Sequence, residues 1–201
     1  MHISEGVLAT PVLVGGAALT AAGLGMALKR LNNEDIPKVG VLSAGFFVAS
    51  LIHVPIGVAS VHLVLNGLVG LILGWLSFPA IFVGLLLQSI MFQYGGITAL
   101  GVNTFNMALP ALISYFLFAH LATRTSKSYV SSVSAFMAGS LAIFLSGILV
   151  GISLYLTGEA FLPAAKIVVA GHIPVMLIEG IITAACVTFL KKVKPELLSM
   201  T

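Results

Sequence analysis

Long apolar runs separated by short polar breaks recur along the whole chain, and the breaks divide it into seven predicted membrane spans. The first covers about 7–28 and ends in Lys29-Arg30-Leu31-Asn32-Asn33-Glu34-Asp35-Ile36-Pro37-Lys38, the most polar stretch of the protein, which reads as a solvated loop. A second, about 39–54, stops at Pro55, and residues 55–60 read as a turn. His62 opens a third span to Leu76, where Ser77, Phe78 and Pro79 break the pattern, and a fourth continues to about Gln93. Residues 94–103, with Gly95, Gly96 and Gly101, read as a loop or a broken helix. The fifth span, about 105–121, contains Pro110, and the sixth covers about 129–156. Residues 159–170 form a weaker mixed segment suited to the surface, and the seventh span runs from about 171 to 190. The expected fold class is all-α: a polytopic integral membrane helix bundle of about seven transmembrane helices, one domain over residues 1–201.

Composition agrees with the pattern. The chain is 59% hydrophobic and 7% charged, with mean hydropathy +1.16; a soluble domain carries roughly 25% charged residues. No polar block is large enough for an appended soluble enzyme, and nothing points to nucleic acid. Basic residues orient the bundle. Seven spans place the termini on opposite sides, and one face then holds Lys29, Arg30, Lys38, Arg124, Lys127, Lys191, Lys192 and Lys194, the other only Lys166. The N-terminus is therefore expected outside, with Met1, His2, the turn before His62, the stretch around Asn103 and His172. Cys186 is alone, which excludes an intrachain disulfide. The first apolar run has no basic segment before it and does not look like a cleaved signal, so Met1 is expected to be retained, the more so with a bulky His2 behind it.

Met1 and His2 offer three nitrogens in two residues. The terminal amine and the His2 amide close a five-membered ring on an ion, and the amide with His2 Nδ1 closes a six-membered ring. Three coplanar donors result, and one further imidazole completes a square, a geometry that favours Ni(II) or Cu(II). His62, at the outer end of its span, is the candidate for that fourth place. His53 stands nearby, but a histidine at a membrane interface is often only hydrogen-bonded. His172 lies near the end of its span, and His120 falls on the inner side, away from an outer site. Glu179, inside an apolar span, must face the bundle interior and be paired or neutralised. Ala17 with Ala21, and Ala18 with Ala22, have the spacing that lets helices approach closely, in internal packing or otherwise.

Several stretches together are similar to one family. Met1-His2-Ile3-Ser4-Glu5-Gly6, Val54-Pro55-Ile56-Gly57-Val58-Ala59-Ser60-Val61-His62-Leu63 with Asn66-Gly67, Gly101-Val102-Asn103-Thr104-Phe105-Asn106-Met107, and His172-Ile173-Pro174 with Glu179-Gly180 resemble the substrate-capture membrane subunit of energy-coupling-factor nickel and cobalt importers, the NikM/CbiM type. The resemblance implies a prokaryotic plasma-membrane protein whose N-terminal segment tucks into the bundle. It implies Ni2+ or Co2+ as transported ligand, no cofactor, and Met1, His2 and His62 as metal ligands, with Asn103 and Asn106 supplying hydrogen bonds behind them. It further implies a transmembrane coupling subunit, two cytoplasmic ATPases and, in some systems, a small accessory membrane subunit. No GxxxxGK[ST] phosphate loop occurs in the chain, in keeping with ATP hydrolysis elsewhere. Two other classes are less well supported. An intramembrane metalloenzyme lacks the HExxH spacing, and a gradient-driven carrier would typically show repeated halves with broken helices and more intramembrane charge.

Overall fold

The computed structural model describes residues 2–56 and 59–198. Seven α-helices and one β-hairpin follow in order: α1 Thr10–Leu28, α2 Ile36–Ala49, β1 His53–Ile56, β2 Ala59–His62, α3 Asn66–Leu73, α4 Ser77–Phe92, α5 Leu100–Ala119, α6 Ser128–Thr157 and α7 Leu162–Val193. The membrane helix bundle is as expected, but seven full crossings is not the count. Among the described residues five stretches are long and apolar enough to cross a membrane: Thr10–Leu28, Asn66–Phe92, Leu100–Arg124, Ser128–Thr157 and Glu159–Val193. The 14 residues of α2 reach only about 21 Å at 1.5 Å per residue, against a hydrocarbon core of roughly 30 Å.

The stretch from 62 to 92 departs furthest from the sequence expectation. The turn expected at 55–60 falls partly on residues 57 and 58, outside the described ones; on either side the chain pairs antiparallel, His53 with His62, Val54 with Val61, Pro55 with Ser60 and Ile56 with Ala59. After His62 the chain descends without helix, and α3 starts only at Asn66, inside the bundle. There the Asn66 side-chain amide donates to the Met107 carbonyl at 3.2 Å and to Ser146 Oγ at 3.0 Å. One and two turns further on, Gly70 lies against Ala111 and Gly74 against Tyr115. Steps of four on both helices mean that α3 runs parallel to the lower half of α5. At Gly74–Leu76 the chain reverses: Phe78 packs on Gly23 of α1, and Gly84 on Phe46 of α2. The helix α4 thus climbs back, and an apolar run that reads as one long span is a half-helix followed by a returning helix. Close approach is what seats α3. A Cβ on Gly67 would stand 2.5 Å from the Gly139 Cα of α6, too near for any side chain.

Two further differences have local causes. α5 begins at Leu100, so Asn103 stands in its first turn rather than in a loop. α7 is continuous through Pro174 and includes the segment from 162 to 170, so His172 lies ten residues into a helix of 32. Buried residues form layers along the bundle. Ile3, Leu8, Ala99, Val102, Val150, Leu154, Ala165 and Val168 cluster at one end, and Leu68, Leu71, Ala119, Ala122, Ala135, Ala138, Val187 and Leu198 at the other.

These layers fix the two faces. The starts of α1, α5 and α7 share one end with the end of α6, where the Ala9 N–H donates to Thr157 Oγ1 at 3.3 Å. At the opposite end the Arg30 guanidinium lies 4.6 Å from the Trp75 ring centroid, and Lys191 Nζ donates to the Thr125 carbonyl at 2.7 Å. Eight basic residues fall at that second end and Lys166 at the first, so the positive-inside rule makes the second end cytoplasmic. With Cys186 replaced by serine, Lys127→Cys and Lys194→Cys should react with a membrane-impermeant thiol reagent only after the membrane is opened. Lys166→Cys should react in intact cells; the reverse pattern would invert the bundle.

Candidate metal site

The amino-terminal segment enters the outer end of the bundle as extended chain. Ile3 is its anchor, fully buried among residues of α5, α6 and α7, a burial worth about 1.5–3 kcal/mol. Its backbone is gripped on both sides by one carboxamide: the Ile3 N–H donates to Asn103 Oδ1 at 2.9 Å, and Asn103 Nδ2 donates to the Ile3 carbonyl at 3.1 Å. The loop before α5 closes over this segment. Gly95 has φ +76°, which favours glycine, and a Cβ there would meet Asn103 Nδ2 at 2.8 Å and His2 Cβ at 3.2 Å. Beside it the Thr98 N–H donates to Glu5 Oε1 at 3.4 Å.

The grip on Ile3 places His2 in the interior, 4% exposed, beside His62, 2% exposed. Their rings are stacked, with centroids 4.5 Å apart and planes inclined by 22°, and Tyr94 also stacks on His2, at 6.2 Å. His62 Nδ1 lies 2.8 Å from the Leu63 carbonyl, a group that only accepts, so Nδ1 carries the proton and Nε2 the lone pair. That Nε2 is buried and has no hydrogen-bond partner among the described residues. A metal-binding histidine is held in this way, with its other ring nitrogen donating to a carbonyl. Burial holds the His62 imidazole well below its usual pKa, and the neighbouring His2 and His172 rings push in the same direction.

The other sequence candidates fall into place around this pair. Met1 lies outside the described residues. Asn106, 2% exposed, donates from Nδ2 to Ser153 Oγ at 3.1 Å and so braces α5 against α6. His53 enters the hairpin ladder opposite His62. His172 is buried against Gly147 and donates from Nδ1 to the Val168 carbonyl at 2.6 Å, while His120 sits at the cytoplasmic end of α5. Among the described residues no three or more His, Cys, Asp and Glu side chains stand together for an ion, so side chains alone do not complete a site here. The closing role of Gly95 and Tyr94 was not read from the sequence; the adjacent Gly95-Gly96 pair was its one signal.

Residues 2–197 match the family described as "Cobalt uptake substrate-specific transmembrane region", CbiM. The chain belongs to the CbiM family. It is therefore a membrane component of a cobalt and nickel uptake family and a transport component rather than an enzyme. It is 42% identical to a "Putative metal transport protein" of Haemophilus influenzae, over 100% of this chain and 98% of that one. A "Putative fused nickel transport protein NikMN" of Archaeoglobus fulgidus is 31% identical over 98% of this chain and 68% of its own length. A "Cobalt transport protein CbiM" of Sorangium cellulosum is 30% identical over 98% and 94%. The crystal structure of a transition metal transporter superposes with a TM-score of 0.76 at 26% identity, covering 96% of this chain and 93% of that chain.

Within this CbiM chain the Asn103 carboxamide is the fastening of the amino-terminal segment. Asn103→Ala removes both hydrogen bonds and strands the buried Ile3 amide, at a cost of about 1–3 kcal/mol. Hydrogen exchange should then rise in the peptide covering residues 2–8 while the middles of α5 and α6 stay protected. Unchanged exchange in 2–8 would mean that the segment is held by other contacts.

Proposed function

We propose that this chain captures a divalent transition-metal ion from the outer side, nickel in preference to cobalt, as the substrate-binding membrane subunit of an energy-coupling-factor importer. Four nitrogens hold the ion: the Met1 α-amine, the amide nitrogen and Nδ1 of His2, and Nε2 of His62. The observation that carries this reading is the buried approach of the two histidines. Two imidazoles that share one ion through metal–nitrogen bonds of about 2.0 Å must lie close together; those of His2 and His62 are stacked with centroids 4.5 Å apart.

Raw affinity would favour copper in the order of the divalent metals, so selectivity must come from the shape of the donor set. A fixed amino-terminal segment supports a planar set, and planarity suits nickel. Energy for release inward comes from partners: a transmembrane coupling subunit and two cytoplasmic ATPases, joined in some systems by a small accessory membrane subunit. The absence of a phosphate loop from the sequence supports this division of labour. So does the outward face of α1, where Ala18, Ala21 and Ala22 are exposed and present a surface that another helix can approach closely, while Ala17 packs beside Gly101 of α5.

The test is to add one residue before Met1. The displaced amine can no longer reach the ion, and nickel binding by the detergent-purified chain should fall by several orders of magnitude. Binding that survives the extension would place the site elsewhere. His62→Ala opens one position and should weaken retention without abolishing the three-nitrogen chelate.

Acid should also release the ion. The amine and imidazoles bind as free bases and the His2 amide gives up its proton, so binding releases protons and weakens as pH falls. Burial lowers the pKa of His62 and keeps it neutral through this range. The amine, with an ordinary pKa of about 7.7–8.0, is the first group to compete. A competition titration between pH 8 and 6 should show affinity dropping by about tenfold or more per pH unit, and a flat profile would contradict the donor set.

A further inference from the structure

Among the described residues Glu179 is the acidic side chain that is fully enclosed, midway along α7. None of the four proposed donors uses it. Its carboxylate reaches across to the chain just below His62: Oε1 accepts from the Val64 N–H, and Oε1 and Oε2 accept from the Leu65 N–H at 2.9 and 3.0 Å. These amides precede α3, whose eight residues start at Asn66 and whose N-cap, Leu65, provides no side-chain cap. An anion at that place satisfies amides that have no partner within the helix and meets the positive end of its dipole. Leu65 also takes a left-handed backbone, φ 57°, a conformation a leucine keeps only where its surroundings impose it. Backbone donors buried at this depth must be satisfied inside the bundle, and here a carboxylate does so.

His62 is fastened to this segment. Its Nδ1 donates to the carbonyl of Leu63, the residue next to Val64, so ring and backbone turn as one piece. We propose that Glu179 is a positioning residue for the metal site. Its carboxylate, by fixing the Val64 and Leu65 amides, fixes the Leu63 carbonyl and through it the direction in which His62 Nε2 points. The inference rests on the reading of His62 as a metal ligand. It assigns Glu179 no contact with the ion: α7 sets the fourth ligand, while Asn103 of α5 sets the segment carrying the other three. The two halves of the site are thus held by different helices.

Nickel affinity of the detergent-purified chain, compared for wild type, Glu179→Gln, His62→Ala and the double variant, tests this. Residues that orient a ligand typically change metal affinity by about 10- to 100-fold, so Glu179→Gln should weaken binding by about that factor where His62 is present. In the His62→Ala background the same substitution should have almost no further effect on affinity. Equal effects in both backgrounds, or wild-type affinity in Glu179→Gln, would overturn the proposal. If His62→Ala itself left affinity unchanged, the ligand assignment would fail instead, a separate result. The ligand-field spectrum gives a readout that loss of stability alone does not move: Glu179→Gln should shift the nickel band toward that of His62→Ala. If Glu179→Gln does not fold, hydrogen exchange on wild type decides. The Val64 and Leu65 amides should be protected before any metal is added, and rapid exchange there would overturn the proposal.

Discussion

Two hydrogen bonds between one carboxamide and the Ile3 backbone hold the amino-terminal segment inside the bundle. The histidine pair exists because of them. Without this fastening the first residues are a short polar tail before a membrane helix, with no reason to leave water. With it, His2 is placed against His62 and desolvated. The proposed donor set of side chain, backbone and terminus requires that the chain cannot swing away. Burial of Ile3 and the close fit of Gly95 over His2 serve the same end.

The second condition is a way to bring irregular backbone below the membrane surface. Exposed peptide groups are not tolerated in lipid, so non-helical chain occurs at depth only where protein surrounds it. The segment between β2 and α3 meets that requirement. Helix α3 starts inside the bundle, is seated by glycine contact with α6, and has its first amides met by a carboxylate from α7. The loss of a full crossing at this place is what gives His62 an interior position. Long, regular helices on either side supply the rigidity, and the outward surfaces of α1 and α7 remain apolar and exposed, as lipid or a partner helix requires.

Regular elements were the legible part of the sequence. The fourth apolar run ends within one residue of α4, and the run at 129–156 begins and ends within one residue of α6, because polar or turn-forming residues stand there; Ser77, Phe78 and Pro79, read as a break, form the first turn of α4. Hydropathy could not show that the run from 62 to 76 is a descending irregular segment, a half-helix and a turn, since each of these is as apolar here as a span. The seventh span reads from about 171, whereas α7 begins at Leu162 and runs on through Pro174. Of the site, His2 and His62 were legible from chelate chemistry and from the likeness of their surroundings to a known family. Asn103 was legible as an accessory but not as the clasp on Ile3, because its partner is backbone and leaves no mark in the sequence. Glu179 was conspicuous for the expense of burying a carboxylate, and its partners were hidden for the same reason.

X-ray absorption on the nickel-loaded, detergent-purified chain tests the central claim most directly. The account predicts a four-coordinate planar centre of nitrogen donors only, with the multiple-scattering signature of two imidazoles. A six-coordinate centre, a sulfur neighbour or a single imidazole would contradict it.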